Sequence, residues 1–315
     1  MLIAEFELQR KLGAKFGSAA TGGGGGNRSG GGARNRRGPK SGAKIVQTHT
    51  NWPVFGKTGM SMKLVEKQSD GSTLFMFEHT PIYQKVQHLF WEAVESLQPD
   101  ALFAILQEFP YHIDTLLQLS DILRQSEDYA RARDLIERAL YGCECAFHPL
   151  FKVWDGNCRL DYRQAENRPF FIALFRQLMS CADRGCFRTA LEFAKLIYSL
   201  CPSEDPLGML LILDYLALRS EEYDYLIRVY NVLKDSLNLS LLPSYCFSVP
   251  LAMHYRSQQL SDTAAVEMEE SASKMLQDGL LQFPSMLHRL LDRCSVEPDK
   301  AVSSHTLFTL VQQTV

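Results

Sequence analysis

The stretch CECAFH, followed by Cys158, sets out Cys143, Cys145, His148 and Cys158 as donors of the kind that hold zinc. Tetrahedral sites usually open on two cysteines spaced by two to four residues, which lets both thiolates turn onto one ion; here the spacer is a single residue. That pattern does not define a metal site. FGKTGM ends like a phosphate-binding loop, with Gly56, Lys57 and Thr58, but Asn51 stands five residues before Gly56 where that loop needs glycine, and Pro53 breaks the approach. Cys181 and Cys186 fall in an expected helical hairpin and read as small core side chains rather than a redox pair. No Ser, His and acid series and no paired carboxylates stand apart from solvated helix faces. The expectation is a protein that is not an enzyme, with no cofactor and no metal.

Binding chemistry is easier to find. In NRSGGGARNRRG, Arg28, Arg34, Arg36 and Arg37 are spaced by glycine, so they can follow an RNA backbone through charge alone; a solvated linker or a nuclear-import signal accounts for them equally well. The first 44 residues carry nine Lys or Arg against two Glu, about +7, whereas residues 45–315 carry 24 Lys or Arg against 34 Asp or Glu, a balance of −10. A basic head sits on an acidic body. That head, residues 1–44, has few apolar side chains to offset ordering entropy and is expected to be disordered apart from a short helix at its start. It lacks the layout of a signal peptide, and no apolar run approaches the ~18 residues of a membrane span. The eight cysteines form no disulfide-like framework, which suits a cytosolic or nuclear protein.

The elements that would position a site are mostly helical. Residues 45–80 read as an extended linker or small irregular region, with short strand signals in AKIVQT, MKLVEK and STLFMF; residues 81–315 read as helices. In DTLLQLSDILRQSEDYARARDLIERAL the apolar period stops at QSEDY and resumes, and Leu116, Leu119, Ser120, Leu123, Ala132, Ile136 and Ala139 fit the tetratricopeptide pattern. Glu144 stands where its closing proline belongs. The second-helix signature recurs as Ala190, Ala194, Ile197 and Pro202, as Ala272, Leu276, Gly279 and Pro284, and more weakly as Leu226, Tyr230 and Leu233; half a copy, Leu102, Ile105 and Pro110, precedes the best unit. The fold class expected is all-α: a degenerate tetratricopeptide-like helical-repeat solenoid behind a disordered Gly/Arg-rich segment. An irregular helical bundle is the plainer alternative.

Ala132 and Ala190 are 58 residues apart, 24 more than one repeat, so an insertion is expected at about 141–168. It is rich in aromatics, and Trp154, Arg159, Tyr162, Arg163, Asn167 and Arg168 supply the aromatic and guanidinium anchors that dominate many interfaces. Two readings stay open: a partner-binding segment, or aromatic packing between neighbouring hairpins.

The phrases WPVFGKTGMSM, EFPYHIDTLLQLSDILRQSEDYARARDLIERALYGCECAFHPLF and GNCRLDYRQAENRPFFIALFRQLMSCADRGCFRTALEFAKLIYSLCPSEDPLG closely resemble the transcription factor 25 family, which includes the ribosome quality control complex subunit 1 proteins. The likeness runs from about Trp52 to Leu310. It implies a helical-repeat adaptor that binds the 60S ribosomal subunit, an E3 ubiquitin ligase and ubiquitin, in the disposal of stalled nascent chains. For some members it implies transcriptional repression in the nucleus, so both cytosol and nucleus are expected. Compared with the family, the N-terminal region is abbreviated and no C-terminal continuation follows Val315, which implies a shortened form or a fragment. The family brings no catalytic residues to carry over.

Overall fold

Alternation in MSMKLVEK and TLFMFEH places Met62, Phe75 and Phe77 on one face, and these segments form β1 (Met60–Lys67) and β2 (Thr73–His79), an antiparallel pair with a bulge between Leu64 and Glu66. The turn between them is held by Asp70, whose carboxylate accepts from the Ser72 amide (2.9 Å) and hydroxyl (2.6 Å). This computed structural model describes residues 45–56, 58–261, 263–305 and 308; the head with Arg28, Arg34, Arg36 and Arg37 lies outside the described residues.

Four helices follow: α1 (Pro81–Glu95), α2 (Pro99–Glu108), α3 (Ile113–Gln125) and α4 (Tyr129–Ala146). Thr80 caps α1 ahead of a proline at its first turn, and Asp128 caps α4 by accepting from the Arg131 amide (3.1 Å). Between α3 and α4 the QSEDY stop is a real turn, with Glu127 in the left-handed region (φ 63°). β3 (Cys158–Leu160) comes next, then α5 (Arg168–Asp183) and α6 (Phe187–Leu200). A further helix, α7 (Leu210–Arg219), leads to α8 (Tyr223–Leu233), α9 (Pro243–Ser257), α10 (Thr263–Gln282), α11 (Pro284–Cys294) and α12 (Lys300–Ser304). No helix among the described residues is long and apolar enough to cross a membrane.

The chain divides into two compact units, Met1–Leu210 and Leu211–Val315, with the boundary inside the expected helical span of 81–315. In the first, α3 packs on α4, α4 on α5 and α5 on α6, and α3 also meets α5. The small positions read from the sequence lie at these contacts: Ser120, Ala132, Ala139, Ala190 and Ala194 are all buried. At Gly142 an added Cβ would stand 2.9 Å from Ile113 Cδ1, so glycine lets α3 and α4 approach. In the second unit α9 packs on α8 and α10, where Gly279 lies against the Cys246 backbone; a Cβ there would be 3.1 Å from the carbonyl oxygen.

Two expectations need correction. The protein is mostly helical rather than all-α, because β3 pairs in parallel with β2, matching Thr73 with Cys158, Leu74 with Arg159 and Phe75 with Leu160. A three-residue strand carries too little periodicity to announce itself. The AKIVQT strand signal does not become a strand among its described residues: the Ile45 and Val46 amides donate to the buried Glu144 carboxylate instead of to a sheet neighbour.

His112 shows how tightly the first unit is tied. Its imidazole sits at the N-terminus of α3 and is buried against Tyr83 and Phe90. Nε2–H donates to Gln87 Oε1 (3.0 Å), leaving Nδ1 to accept from the Thr115 hydroxyl (2.8 Å). Burial, with His79 nearby, pushes its pKa down to about 3. The folded pKa lies below the ordinary 6.5, so this contribution to stability is whole above pH 6.5 and is lost as pH falls toward 3. His112→Asn, which keeps a capping acceptor without the titration, should remove about 2 kcal/mol of the stability loss between pH 7 and pH 5, measured by urea unfolding at both pH values. Identical pH dependence in parent and variant would contradict the assignment.

Candidate partner interface

The segment expected at 141–168 is in part helix. Tyr141–Ala146 continues α4, because Leu140, Tyr141, Cys143 and Ala146 keep a buried apolar face and no proline stops them; the irregular stretch is 147–167, with β3 inside it. Its phenylalanines face β2. Phe147, Phe151 and Phe170 meet Phe75 and Phe77 of β2 edge to face or tilted, with ring centroids 4.7–6.2 Å apart across the cluster.

The six residues singled out from the sequence separate into two layers. Arg159 and Asn167 are buried. The Arg159 guanidinium donates to the carbonyls of Gly156 (2.5 Å) and Ser199 (2.9 Å), tying β3 to the end of α6. Asn167 Oδ1 accepts from the Phe77 amide (2.9 Å), and its Nδ2 donates to the Asp161 carbonyl (2.8 Å). β3 ends at Leu160, opposite Phe75, so the Asn167 side chain supplies the acceptor that the strand no longer provides at Phe77. These two residues hold the insertion in place.

Tyr162, Arg163 and Arg168 form the outer layer, with Arg163 and Arg168 exposed and Tyr162 and Trp154 half-buried. Arg168 donates to the Tyr162 and Arg163 carbonyls (both 3.0 Å) and lies 5.7 Å from the Tyr162 ring centre, while that ring meets Phe171 edge-on at 5.4 Å. Arg163 pairs with Glu204. The result is a preorganised aromatic and cationic ridge on a buried foundation.

The zinc candidates do not converge: among the described residues, no three His, Cys, Asp or Glu side chains are placed to hold a metal ion. Burial pushes the Cys143 and Cys158 thiols up, away from the thiolate form that metals and electrophiles require.

Sequence reasoning missed the strap of residues 45–56. Trp52 Nε1 donates to Asp134 (2.8 Å) and its ring stacks on His49 and tilts against Tyr141; Tyr111 donates its hydroxyl to the Pro53 carbonyl (2.5 Å), and Phe55 packs on Tyr111 and Tyr141. Trp52, Pro53 and Phe55 within four residues were the available signal.

This is a mostly helical protein whose inserted segment completes a small sheet and turns a basic, aromatic edge outward. A family model described as transcriptional repressor TCF25 matches residues 75–315, and the chain belongs to that family. It is 51% identical over 261 residues to the ribosome quality control complex subunit TCF25 of Homo sapiens, covering 82% of this chain and 38% of the human protein. It is 35% identical over 248 residues to the Dictyostelium discoideum protein of the same name, covering 74% and 33%. With ribosome quality control complex subunit 1 of Schizosaccharomyces pombe it shares 34% identity over 257 residues, covering 82% and 38%. The chain therefore spans little more than a third of these relatives' length. No solved structure matches it.

Proposed function

We propose that this chain is a non-enzymatic adaptor of ribosome-associated quality control, binding the 60S subunit and ubiquitin-ligase machinery so that stalled nascent chains are ubiquitinated and degraded. The observation that carries the reading is the similarity to proteins named as ribosome quality control complex subunits, in organisms as distant as Homo sapiens and Schizosaccharomyces pombe, over 82% of the chain. In this reading the helical hairpins form short tetratricopeptide-like stacks, a view supported by the buried small residues at the repeat positions and by the α3–α5 contact across an intervening helix. The ridge of Tyr162, Arg163 and Arg168, together with the half-buried Trp154 of the same segment, is the surface offered to ligase, ubiquitin or ribosome; Arg28, Arg34, Arg36 and Arg37 add ribosomal RNA contacts. The protein acts in cytosol and nucleus.

A second reading, a nuclear scaffold for transcriptional repression, is favoured by the family description and by the name of a relative from Ampulloclitocybe clavipes, "Probable transcription factor claV", 36% identical over 244 residues. Co-sedimentation of the purified chain with 60S particles separates the two. The adaptor reading expects sedimentation that weakens with salt and RNase, and a weaker salt slope when the four head arginines become glutamine, since each phosphate contact contributes to that slope. Absence of 60S binding at low salt contradicts it and leaves the nuclear reading.

A further inference from the structure

Between α3, α4 and α5 the first unit carries a groove of about 780 Å³, within the roughly 300–1,000 Å³ range of ligand sites. Its apolar lining comes from Ile136, Ile172, Phe175 and Met179. Arg124 and Arg133 also line it. Neither makes an ion pair or a side-chain hydrogen bond with the described residues, whereas Arg176, deeper in the groove, is engaged with Asp121 and with the Leu117 carbonyl and Ser120 hydroxyl.

The sign of this groove runs against its surroundings. Residues 45–315 carry a balance of −10, yet four arginines and two aspartates line the groove. Two arginines left without partners beside a hydrophobic trough are the complement of a chain segment that alternates carboxylates with apolar side chains. The basic head of this protein has the wrong charge to fill it. A continuous phosphodiester strand fits poorly as well, because Asp183 stands among the lining residues and would repel a backbone charged at every step, whereas a peptide can place its carboxylates only opposite Arg124 and Arg133.

We infer that the α3–α4–α5 groove is a docking site for an acidic linear peptide, with Ile172, Phe175 and Met179 receiving its apolar side chains and Arg124 and Arg133 its carboxylates. The groove's lining shares no residue with the Tyr162–Arg163–Arg168 ridge, and the proposal does not depend on the ribosomal reading.

The test uses the purified full chain and a fluorescein-labelled twelve-residue peptide alternating Asp or Glu with Leu and Phe, read by fluorescence polarisation. The same peptide with lysine in place of the acids, and a twelve-nucleotide oligo-uridine, serve as the other probes. Saturable binding of the acidic peptide is expected, no binding of the lysine peptide, and a loss of at least about tenfold in affinity for Arg124→Glu with Arg133→Glu at unchanged melting temperature. Arg124→Gln with Arg133→Gln, a milder change at exposed or half-buried positions, should weaken binding in the same direction and guards against a folding defect in the charge reversal. Failure of the acidic peptide to saturate up to about 1 mM would overturn the assignment. So would equal affinity in the glutamine variant, or an oligo-uridine that binds more tightly and loses that binding in the same variants, which would give the groove to RNA.

Discussion

Ala190→Arg is expected to lower the melting temperature of the first unit by roughly 8–16 °C, the shift that about 4 kcal/mol produces in a unit of this size. Ala190 lies in α6 with no exposed surface, and its neighbours along that helix face, Ala194 and Ile197, are equally enclosed. On the facing element of the α5–α6 pair, Ala173 and Leu174 are also buried without exposure. Such a crossing has no room for a guanidinium. Overpacking costs about 1–3 kcal/mol, and a buried charge without a partner costs about 3–5 kcal/mol more, part of which the side chain recovers by forcing its way toward solvent. Ala130→Arg makes the same chemical change at an exposed position of α4 and should leave melting unchanged. If Ala190→Arg melts with the parent, the small repeat positions do not mark close helix contacts.

Asn167→Ala should destabilise the first unit by about 1–3 kcal/mol for the buried Phe77 amide it leaves unpaired, and by less for the part-buried Asp161 carbonyl. The Phe77 amide would lose its acceptor inside the sheet, and the Asp161 carbonyl would lose its donor just past β3. Both lie beside the aromatic cluster that joins β2 to the insertion, so water reaching them would also reach Phe77 and Phe170. Amide exchange at Phe77 should accelerate before that of the helices. Asn167→Asp, which sets a carboxylate oxygen against the Asp161 carbonyl in a buried site, should be no more stable than alanine at neutral pH and should recover as pH falls and the carboxyl becomes a donor.

What the sequence disclosed about this fold was local. Helical period, the QSEDY turn and the small residues at Ala132, Ala139 and Ala190 are written in spacings of a few residues, where sterics act directly. The pairing of Cys158–Leu160 with Thr73–Phe75 is not, because its partner lies some 80 residues earlier, on the far side of four helices, and only the folded chain brings them together. The same limit governs the site. Arg159, Asn167, Tyr162, Arg163 and Arg168 share the chemistry of an interface, and composition cannot separate the two that face inward from the three that face outward or stand at the edge. The strap across Trp52 to Phe55 and the arginines of the α3–α5 groove were hidden for the same reason: each site is assembled from elements whose adjacency no short spacing encodes.

One paired measurement tests the central claim, that the insertion is a buried tether beneath an exposed partner ridge. Asn167→Ala and Arg163→Glu with Arg168→Glu are each assayed for melting temperature and for co-sedimentation with 60S particles on the same sample. The account predicts a lower melting temperature with retained binding in the folded fraction for Asn167→Ala, and a smaller loss of melting temperature with lost binding for the double charge reversal, which removes the exposed Arg163–Glu204 pair and two Arg168 hydrogen bonds. Parental binding in the charge-reversed variant, with 60S association intact at every salt concentration, would contradict it and reduce the insertion to a packing element.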